Sequence, residues 1–486
     1  MGETLKDKTA KGLFWGGLSN GVQQLLTLFF GIFLARILNE EDYGMVGLLT
    51  IFSLIASTLQ ESGFTAAIVN RKQVDHKDYN AVFWFNAGLS LLLYLLLFLA
   101  APLITLFYEQ NDQSDLSDLT ALARYSFLGF FISSLGIAHS AYLFRNLMVK
   151  QRAISSIIAL TLSGITGVTL AYLGFSYWGI ATQNLVYIGT LTLCFWYFSP
   201  WRPSFRFDFT PLKDMIRFSY KLLITNIFNH INHNLLTIIL GKFYSVRDVG
   251  FYNQAYKWNG MGQQAIQGMI NGVAQPVFAS VADDIERQKR VFRKMLRFAA
   301  FTSFPAMLGL GLIAEELIVI AITDKWLPSA GMIQILCIWG AFVPIIHLYQ
   351  QLIISKGKSH IFMWTVISLG LILLACTIAA YPYGLYTMLI VYVVANICWL
   401  FVWHFFVQRE IRLNLFEALS DILPYALIAA GVMIATHYIT EPIANIYIRF
   451  AAKISIAASL YIFLMWASRS VTFKESIQYL TKRKKA

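Results

Sequence analysis

From residue 13 to residue 467 the chain is a succession of long apolar stretches, joined by polar pieces of about a dozen residues at most. That pattern leaves few folds open. A bilayer's hydrocarbon core is about 30 Å thick, so a crossing helix needs roughly 20 mostly apolar residues. Fourteen stretches meet that length: 13–38, 44–69, 81–108, 119–146, 154–174, 178–199, 215–241, 251–280, 291–320, 329–355, 361–381, 383–407, 421–439 and 445–467. Spans 2, 7 and 8 are the most polar of them. Composition agrees, with 57% hydrophobic and only 13% charged residues and a mean hydropathy of +0.59. A soluble domain carries about 25% charged residues. The expected fold class is an all-α polytopic membrane protein with 14 transmembrane helices.

The polar connections alternate in charge. One set holds Lys6, Lys8 and Lys11, then Arg71, Lys72 and Lys77, then Arg145, Lys150 and Arg152, and continues through Arg287–Arg297 to the Lys482–Lys485 tail. The other set, including NEEDY (39–43) and EQNDQSDLSD (109–118), has few cations. The positive-inside rule places the first set in the cytoplasm. Both termini then lie inside, which requires an even number of spans, as counted. The net charge of +12 therefore belongs to loops facing anionic lipid, and no nucleic-acid partner is expected. The polar segment MGETLKDKTAKG is followed by an apolar run too long for a signal peptide, with no cleavage site after it, so it reads as a retained first span. Lys6 stands where a myristoylation signal needs Ser or Thr after Gly2. No phosphate-binding GxxxxGK[ST] loop and no soluble catalytic domain occur, so an ATPase is excluded and no enzymatic activity is expected. Cys194, Cys337, Cys376 and Cys398 sit in apolar segments without metal-ligand spacing and read as small buried hydrophobes. No metal or cofactor is expected.

An internal repeat divides the chain. Displaced by 206 residues, Asn20 falls on Asn226, Gln23 and Gln24 on Asn229 and His230, Arg36 on Lys242, Asp42 on Asp248, and Gly44 on Gly250. Six spans separate the copies, so both have the same orientation and the repeat is parallel, about an axis along the membrane normal. The expected domains are a six-helix lobe at 1–199, a cytoplasmic linker at 200–214, a second six-helix lobe at 215–408, and two further helices with a basic tail at 409–486. A central polar cavity is expected between the lobes.

That cavity is read from polar faces. In NIFNHINHN (226–234), Asn229, His230, His233 and Asn234 fall within about 80° of Asn226 on a helical wheel. In span 8, Asn253, Lys257, Gly260, Gln264, Gln267, Asn271 and Gln275 recur at steps of three and four, a stripe about 33 Å long. Span 1 carries Asn20, Gln23, Gln24 and Thr27 on one face, and span 2 carries Thr50, Ser57, Glu61 and Thr65. Such faces in lipid are satisfied by a wet cavity or by interhelical hydrogen bonds in a dry bundle. A full stripe of amides with a lysine favours the cavity. His230 and His233 lack the acids or cysteines that would complete a metal site, and read as hydrogen-bonding groups for sugar or water, or as packing. Arg124, Lys221 and Lys257 are the candidate cations for a phosphate, and Arg36 reads as an interface anchor. Glu61 is either paired with a cation or a proton or Na⁺ site that couples transport. Glu315 and Glu316 are expected at the outer interface.

The run LFWGGLSNGVQQLLTLFFGIFLARILNEEDYGMVGLLTIFSLIASTLQESGFTAAIVNRK resembles the start of bacterial polysaccharide biosynthesis flippases of the multidrug/oligosaccharidyl-lipid/polysaccharide exporter superfamily. The resemblance lies in a span ending LARIL, an acidic turn, Asp42-Tyr43-Gly44 opening span 2, Gly63, and a basic loop. It implies a bundle whose central cavity opens alternately to each side of the bacterial cytoplasmic membrane. The implied substrate is a polyprenyl-diphosphate-linked oligosaccharide for lipopolysaccharide or exopolysaccharide, moved from inner to outer leaflet. On that reading Asn20, Gln24, Arg124, Lys221, Asn226, His230, His233, Asn253, Lys257, Gln264, Gln267 and Asn271 form the substrate site, beside membrane lipid and a proton or Na⁺. The alternative is a cation-coupled small-molecule or drug exporter on the same fold. Drug-exporting relatives often carry an Asp in span 1, and here no acid precedes Glu40 within it. A membrane polymerase or glycosyltransferase is disfavoured by the short outer connections.

Overall fold

Backbone amides that cross lipid must pair within the chain, and helices do so within each segment. The computed structural model describes residues 5–61, 68, 74–109, 116–205, 208, 210–281, 284–470 and 472–475, and their regular structure is entirely helical. The α-helices are α1 Leu5–Ile37, α2 Glu40–Glu61, α3 His76–Tyr108, α4 Leu119–Arg145, α5 Val149–Tyr172, α6 Ser176–Phe198, α7 Thr210–Phe243, α8 Val246–Ser280, α9 Ile285–Leu312, α10 Ala314–Ile322, α11 Leu327–Ser355, α12 Ser359–Ala380, α13 Leu385–Ile411, α14 Leu415–Thr440 and α15 Ile446–Ala467. All but the nine-residue α10 are at least 22 residues long.

Among the described residues, eleven of the long helices are apolar enough to cross a membrane, which makes this a multi-pass membrane protein; α6 and the described parts of α7 and α8 fall short. The polarity expected of spans 7 and 8 is there, but span 2 qualifies and span 6 does not. The cause in α6 is its Thr182, Gln183, Asn184, Thr190 and Thr192, diluted further by Tyr and Trp rings. The ninth span also differs from the single helix expected over 291–320. It breaks at Ile313 into α9 and α10. The Ile313 amide donates to Gly309, closing α9, and α10 restarts at once.

The repeat is visible in the turns. Asn39 N–H donates to Asp42 Oδ2 at 2.8 Å at the start of α2, and Ser245 N–H donates to Asp248 Oδ2 at 3.2 Å at the start of α8. These residue pairs are 206 positions apart. Each acid satisfies an amide that the first helical turn leaves unpaired and favours the helix N-terminus electrostatically. The two turns also meet. The α2 glycine, Gly44, lies against the Val246 carbonyl, and its repeat partner Gly250 lies against the Glu40 carbonyl, so close that a β-carbon at either position would overlap it. Arg247 closes the contact with Nη2 at 2.7 Å from Glu40 Oε1.

The chain forms two compact units, Met1–Gly250 and Phe251–Ala486. In the first, α3 packs on α4, α6 on α5 and α4, α1 on α5, and α2 on α7. An aromatic core at one end gathers Tyr79, Phe83, Ala138, Ala141 and Trp201. Trp201 belongs to the segment after α6, which is bolted down by Trp84 Nε1–H to Ser204 O (2.8 Å) and Ser204 N–H to Asn80 Oδ1 (2.8 Å). In the second unit, α9 packs on α11 and α14, α11 on α13, and α15 on α14 and α10. Arg293 and Arg297 both bind Asp421, at 2.6 and 3.0 Å, tying α9 to α14. Glu316 is not at an interface with water, as expected, but is fully buried. Arg449 Nε (2.7 Å) and Lys453 Nζ (2.8 Å) of α15 both reach its Oε1. A carboxylate placed in lipid is costly unless paired, and α15 supplies the pair.

Candidate functional site

The polar helix faces are where a site can form, because α-helical periodicity puts residues three and four apart on one side. On α1, Asn20 and Gln24 are exposed and Gln23 half-buried, whereas Phe30, Leu34 and Leu38 further along are buried. On α7, Asn226 and His233 are exposed and Asn229 and His230 half-buried, while Leu235, Leu236 and Ile239 are buried. On α8, Gln264 is exposed and Asn253, Lys257 and Gln267 are half-buried, with Tyr252, Ala255, Asn259 and Ile266 buried on the other side. The side chains of Glu61, Lys221 and Asn271 lie outside the described residues. Arg124 is engaged elsewhere: its Nε donates to Phe98 O at 3.2 Å and its guanidinium lies 4.4 Å over the Phe98 ring, so α3 holds it. Arg36, at the end of α1, is exposed.

Within the first unit, the polar residues of α1 meet those of three other helices. Asn20, Gln23 and Ser19 line a cavity of about 510 Å³ with Ser133 and Ser140 of α4, Arg152 and Ser156 of α5, and Tyr187 and Thr192 of α6. Gln23 Nε2 donates to Ser19 Oγ at 2.7 Å, which fixes its amide in the wall. Ser133 is shared with the buried Gln60 of α2, at 3.0 Å. Among the described residues no carboxylate lines this cavity, and Arg152 is its one cation. A second cavity of about 640 Å³ lies where the α1–α2 turn meets the starts of α6 and α8, lined by Asn39, Glu41, Asp42, Ser176, Tyr177 and Arg247. Its two acids, Glu41 and Asp42, outnumber its one arginine, and Asp42 is occupied by Asn39 and Ser176.

Of the residues singled out in the sequence, Asn20 and Gln23 therefore share one cavity. Arg152 was read as a loop cation, yet it stands in the first turn of α5 and lines that cavity. Tyr187, Ser133, Ser140 and Ser156 were passed over because single hydroxyls make no stripe. The signal that could have found Arg152 is its place at a span edge, within a few residues of the boundary, where end assignments are least certain. Among the described residues, no three His, Cys, Asp or Glu side chains come together as a metal site.

A hydroxyl- and amide-lined cavity with one guanidinium suits a ligand with hydroxyls and negative charge. Comparison with known proteins points the same way. Residues 33–331 match the pattern of a family described as polysaccharide biosynthesis protein. The chain is 27% identical over 365 residues to the lipopolysaccharide biosynthesis protein WzxC of Escherichia coli K12, covering 74% of this chain and 72% of that one. It is 24% identical over 424 residues to the teichuronic acid biosynthesis protein TuaB of Bacillus subtilis, covering 85% and 86%. Among solved structures, the lipid II flippase MurJ in an inward closed conformation superposes with a TM-score of 0.77 at 15% identity, over 94% of this chain and 99% of that one. An inward-facing multidrug resistance transporter of the MATE family in the same superfamily gives a TM-score of 0.62 at 16% identity, over 85% and 96%. The fold is thus that of the superfamily.

Proposed function

The chain belongs to the polysaccharide biosynthesis protein family, and from that premise we propose that it is a flippase for a polyprenyl-diphosphate-linked oligosaccharide, a precursor of lipopolysaccharide or exopolysaccharide. It carries this lipid from the inner to the outer leaflet of the bacterial cytoplasmic membrane by alternating access, with both termini cytoplasmic. The observation that carries the reading is the character of the polar surfaces: amides and hydroxyls with Arg152 and Lys257, and, among the described residues, no carboxylate in the cavity that Asn20 lines. Amides and hydroxyls exchange hydrogen bonds with sugar hydroxyls, and cations pair with diphosphate. An exporter of lipophilic cations would want the opposite charge.

In this reading two six-helix lobes, 1–199 and 215–408, rock about a path that the stripes of α1, α7 and α8 line. Asn20, Gln24, Asn226, His230, His233, Asn253, Gln264, Gln267 and Asn271 meet sugar or water, and Lys257, with Lys221, meets phosphate. Glu61 is the candidate for a proton or Na⁺ that couples the cycle. The relatives named for lipopolysaccharide and teichuronic acid biosynthesis support the glycan, and the lipid II flippase supports a lipid-linked substrate.

The test is deletion of the gene in its host, followed by labelling of lipid-linked glycan with an impermeant probe on intact spheroplasts. Finished glycan should accumulate on the inner leaflet, rescued by wild type and not by Lys257→Ala. Normal outer-leaflet glycan, in a host without a second flippase, would overturn the proposal. A change in drug susceptibility alone would favour the exporter.

A further inference from the structure

Several cations near helix ends in this protein are paired. Arg449 and Lys453 share Glu316, Arg293 and Arg297 share Asp421, and Lys358 pairs with Glu410. Arg145 donates to the Ile68 carbonyl, and Arg124 to that of Phe98. Arg152 differs. It is half-buried, and its guanidinium lies 4.8 Å over the Phe144 ring. That contact covers one face of the group and leaves its N–H edge free for hydrogen bonds. Among the described residues no carboxylate reaches it, and none lines the cavity it faces. A desolvated guanidinium without a counter-charge is costly, and a chain that keeps one in a polar cavity has built half of an anion site.

The rest of the wall fits the other half of a ligand. Asn20, Gln23, Ser140, Ser156, Tyr187 and Thr192 offer donors and acceptors from four helices. The volume, about 510 Å³, lies in the range of small-molecule sites. The mouth is positive as well. Lys150 is exposed beside it, over the Trp15 ring at 5.4 Å. The α5 N-cap is Met148, whose side chain makes no capping hydrogen bond, so the positive end of the helix dipole adds to the same field.

We propose that the cavity between α1, α4, α5 and α6 is a subsite for the phosphate-bearing head of the transported lipid, with Arg152 as its anion-binding group. Its lining comes from α1, α4, α5 and α6 alone, and its place next to the cationic connection 145–152 makes it a holding site on the inner side. This rests on the flippase reading for its occupant, and on the cavity alone for its anion chemistry.

The test uses the purified full chain in phosphatidylcholine nanodiscs, with radiolabelled farnesyl diphosphate as the probe. Binding is measured in the Lys257→Ala chain, so that the polar stripe of α8 contributes no cation. Arg152→Gln should weaken binding about 10- to 100-fold, the range expected for losing hydrogen bonds to a charged group. Arg152→Lys should fall between. Ser156→Leu keeps the charge and fills the cavity, and should weaken binding comparably while the thermal midpoint holds. Arg409→Gln, whose guanidinium lies over Phe405 on α13, should change nothing. Binding within twofold of the parent in both Arg152→Gln and Ser156→Leu would overturn the proposal. Displacement of the probe by an equal amount of phosphatidylglycerol would overturn the assignment to the transported lipid and make this a site for membrane phospholipid. Inorganic phosphate displacing the probe as well as unlabelled farnesyl diphosphate does would likewise overturn a lipid occupant. Normal outer-leaflet glycan in the deletion host sinks the flippase reading instead, and removes the transported lipid as occupant even where Arg152-dependent binding persists.

Discussion

The meeting of the two repeat-related turns makes a quantitative prediction. A β-carbon on Gly44 would stand 2.8 Å from the Val246 carbonyl carbon, and one on Gly250 would stand 2.7 Å from that of Glu40, with the oxygens nearer still. Ordinary contact begins at 3.4 Å, so Gly44→Ala must push the turns at least 0.6 Å apart. Backbone atoms cannot rotate away as a side chain would. Overpacking of this kind costs about 1–3 kcal/mol, which is roughly a 5- to 150-fold shift against the closed contact. The Glu40–Arg247 pair is a smaller term, because the arginine is 58% exposed and such pairs are worth about 0–1 kcal/mol. Sterics therefore decide the outcome. The assay replaces the four free cysteines, Cys194, Cys337, Cys376 and Cys398, by alanine and places cysteines at 40 and 247. A short bifunctional thiol reagent should join them readily in the parent. The rate should fall at least about fivefold with Gly44→Ala, and further with Gly250→Ala added. Gly17→Ala, with open space where its β-carbon would sit, is the control and should cross-link like the parent. Equal rates in Gly44→Ala and the parent would refute the reasoning. In the flippase reading, the cross-linked protein should also stop translocation until a cleavable linker is reduced.

Glu316→Gln should leave Arg449 and Lys453 without a counter-charge and lower the thermal midpoint in detergent, since breaking a buried pair costs about 3–5 kcal/mol. Adding Lys453→Met should recover part of the loss, and an unchanged midpoint in the single variant would show that the cluster is wet. His139 is fully buried, stacked on Trp196 at 4.3 Å, and among the described residues neither of its ring nitrogens has a well-formed hydrogen bond. His139→Phe should therefore melt at the same temperature or higher, and a drop of several degrees would reveal a buried water holding the imidazole. Asn80→Ala removes the acceptor of the Ser204 amide and should speed limited chymotryptic cleavage at Phe205, which is 85% exposed. Unchanged cleavage would mean that Trp84 and Trp201 alone hold that segment.

What could be read in the residues, and what could not, follows from how far each interaction reaches along the chain. The helices are local: length and apolarity sufficed for most of them, and the acidic starts of α2 and α8 are signals of three or four residues, matched 206 positions apart as Asn39–Asp42 and Ser245–Asp248. The polar faces are local too, which is why the wheel separates Asn226 and His233, exposed, from Leu235 and Ile239, buried. Glu316 could not be placed this way, because the lysine that holds it is 137 residues distant and its burial is decided by α15. The break at Ile313 left no mark, since neither Gly311 nor Pro305 distinguishes an interrupted helix from a kinked one. Arg152 fails for a different reason. A cation at a span edge reads as a topology signal, and the positive-inside rule absorbs it without asking which way it faces. On the flippase reading, where the cargo is an anion collected from the cytoplasmic leaflet, the charges that set topology and the charges that bind are drawn from the same residues. The discriminating property is pairing: Arg145 donates to the Ile68 carbonyl, whereas Arg152, one turn into the next helix, has a cavity and no carboxylate among the described residues.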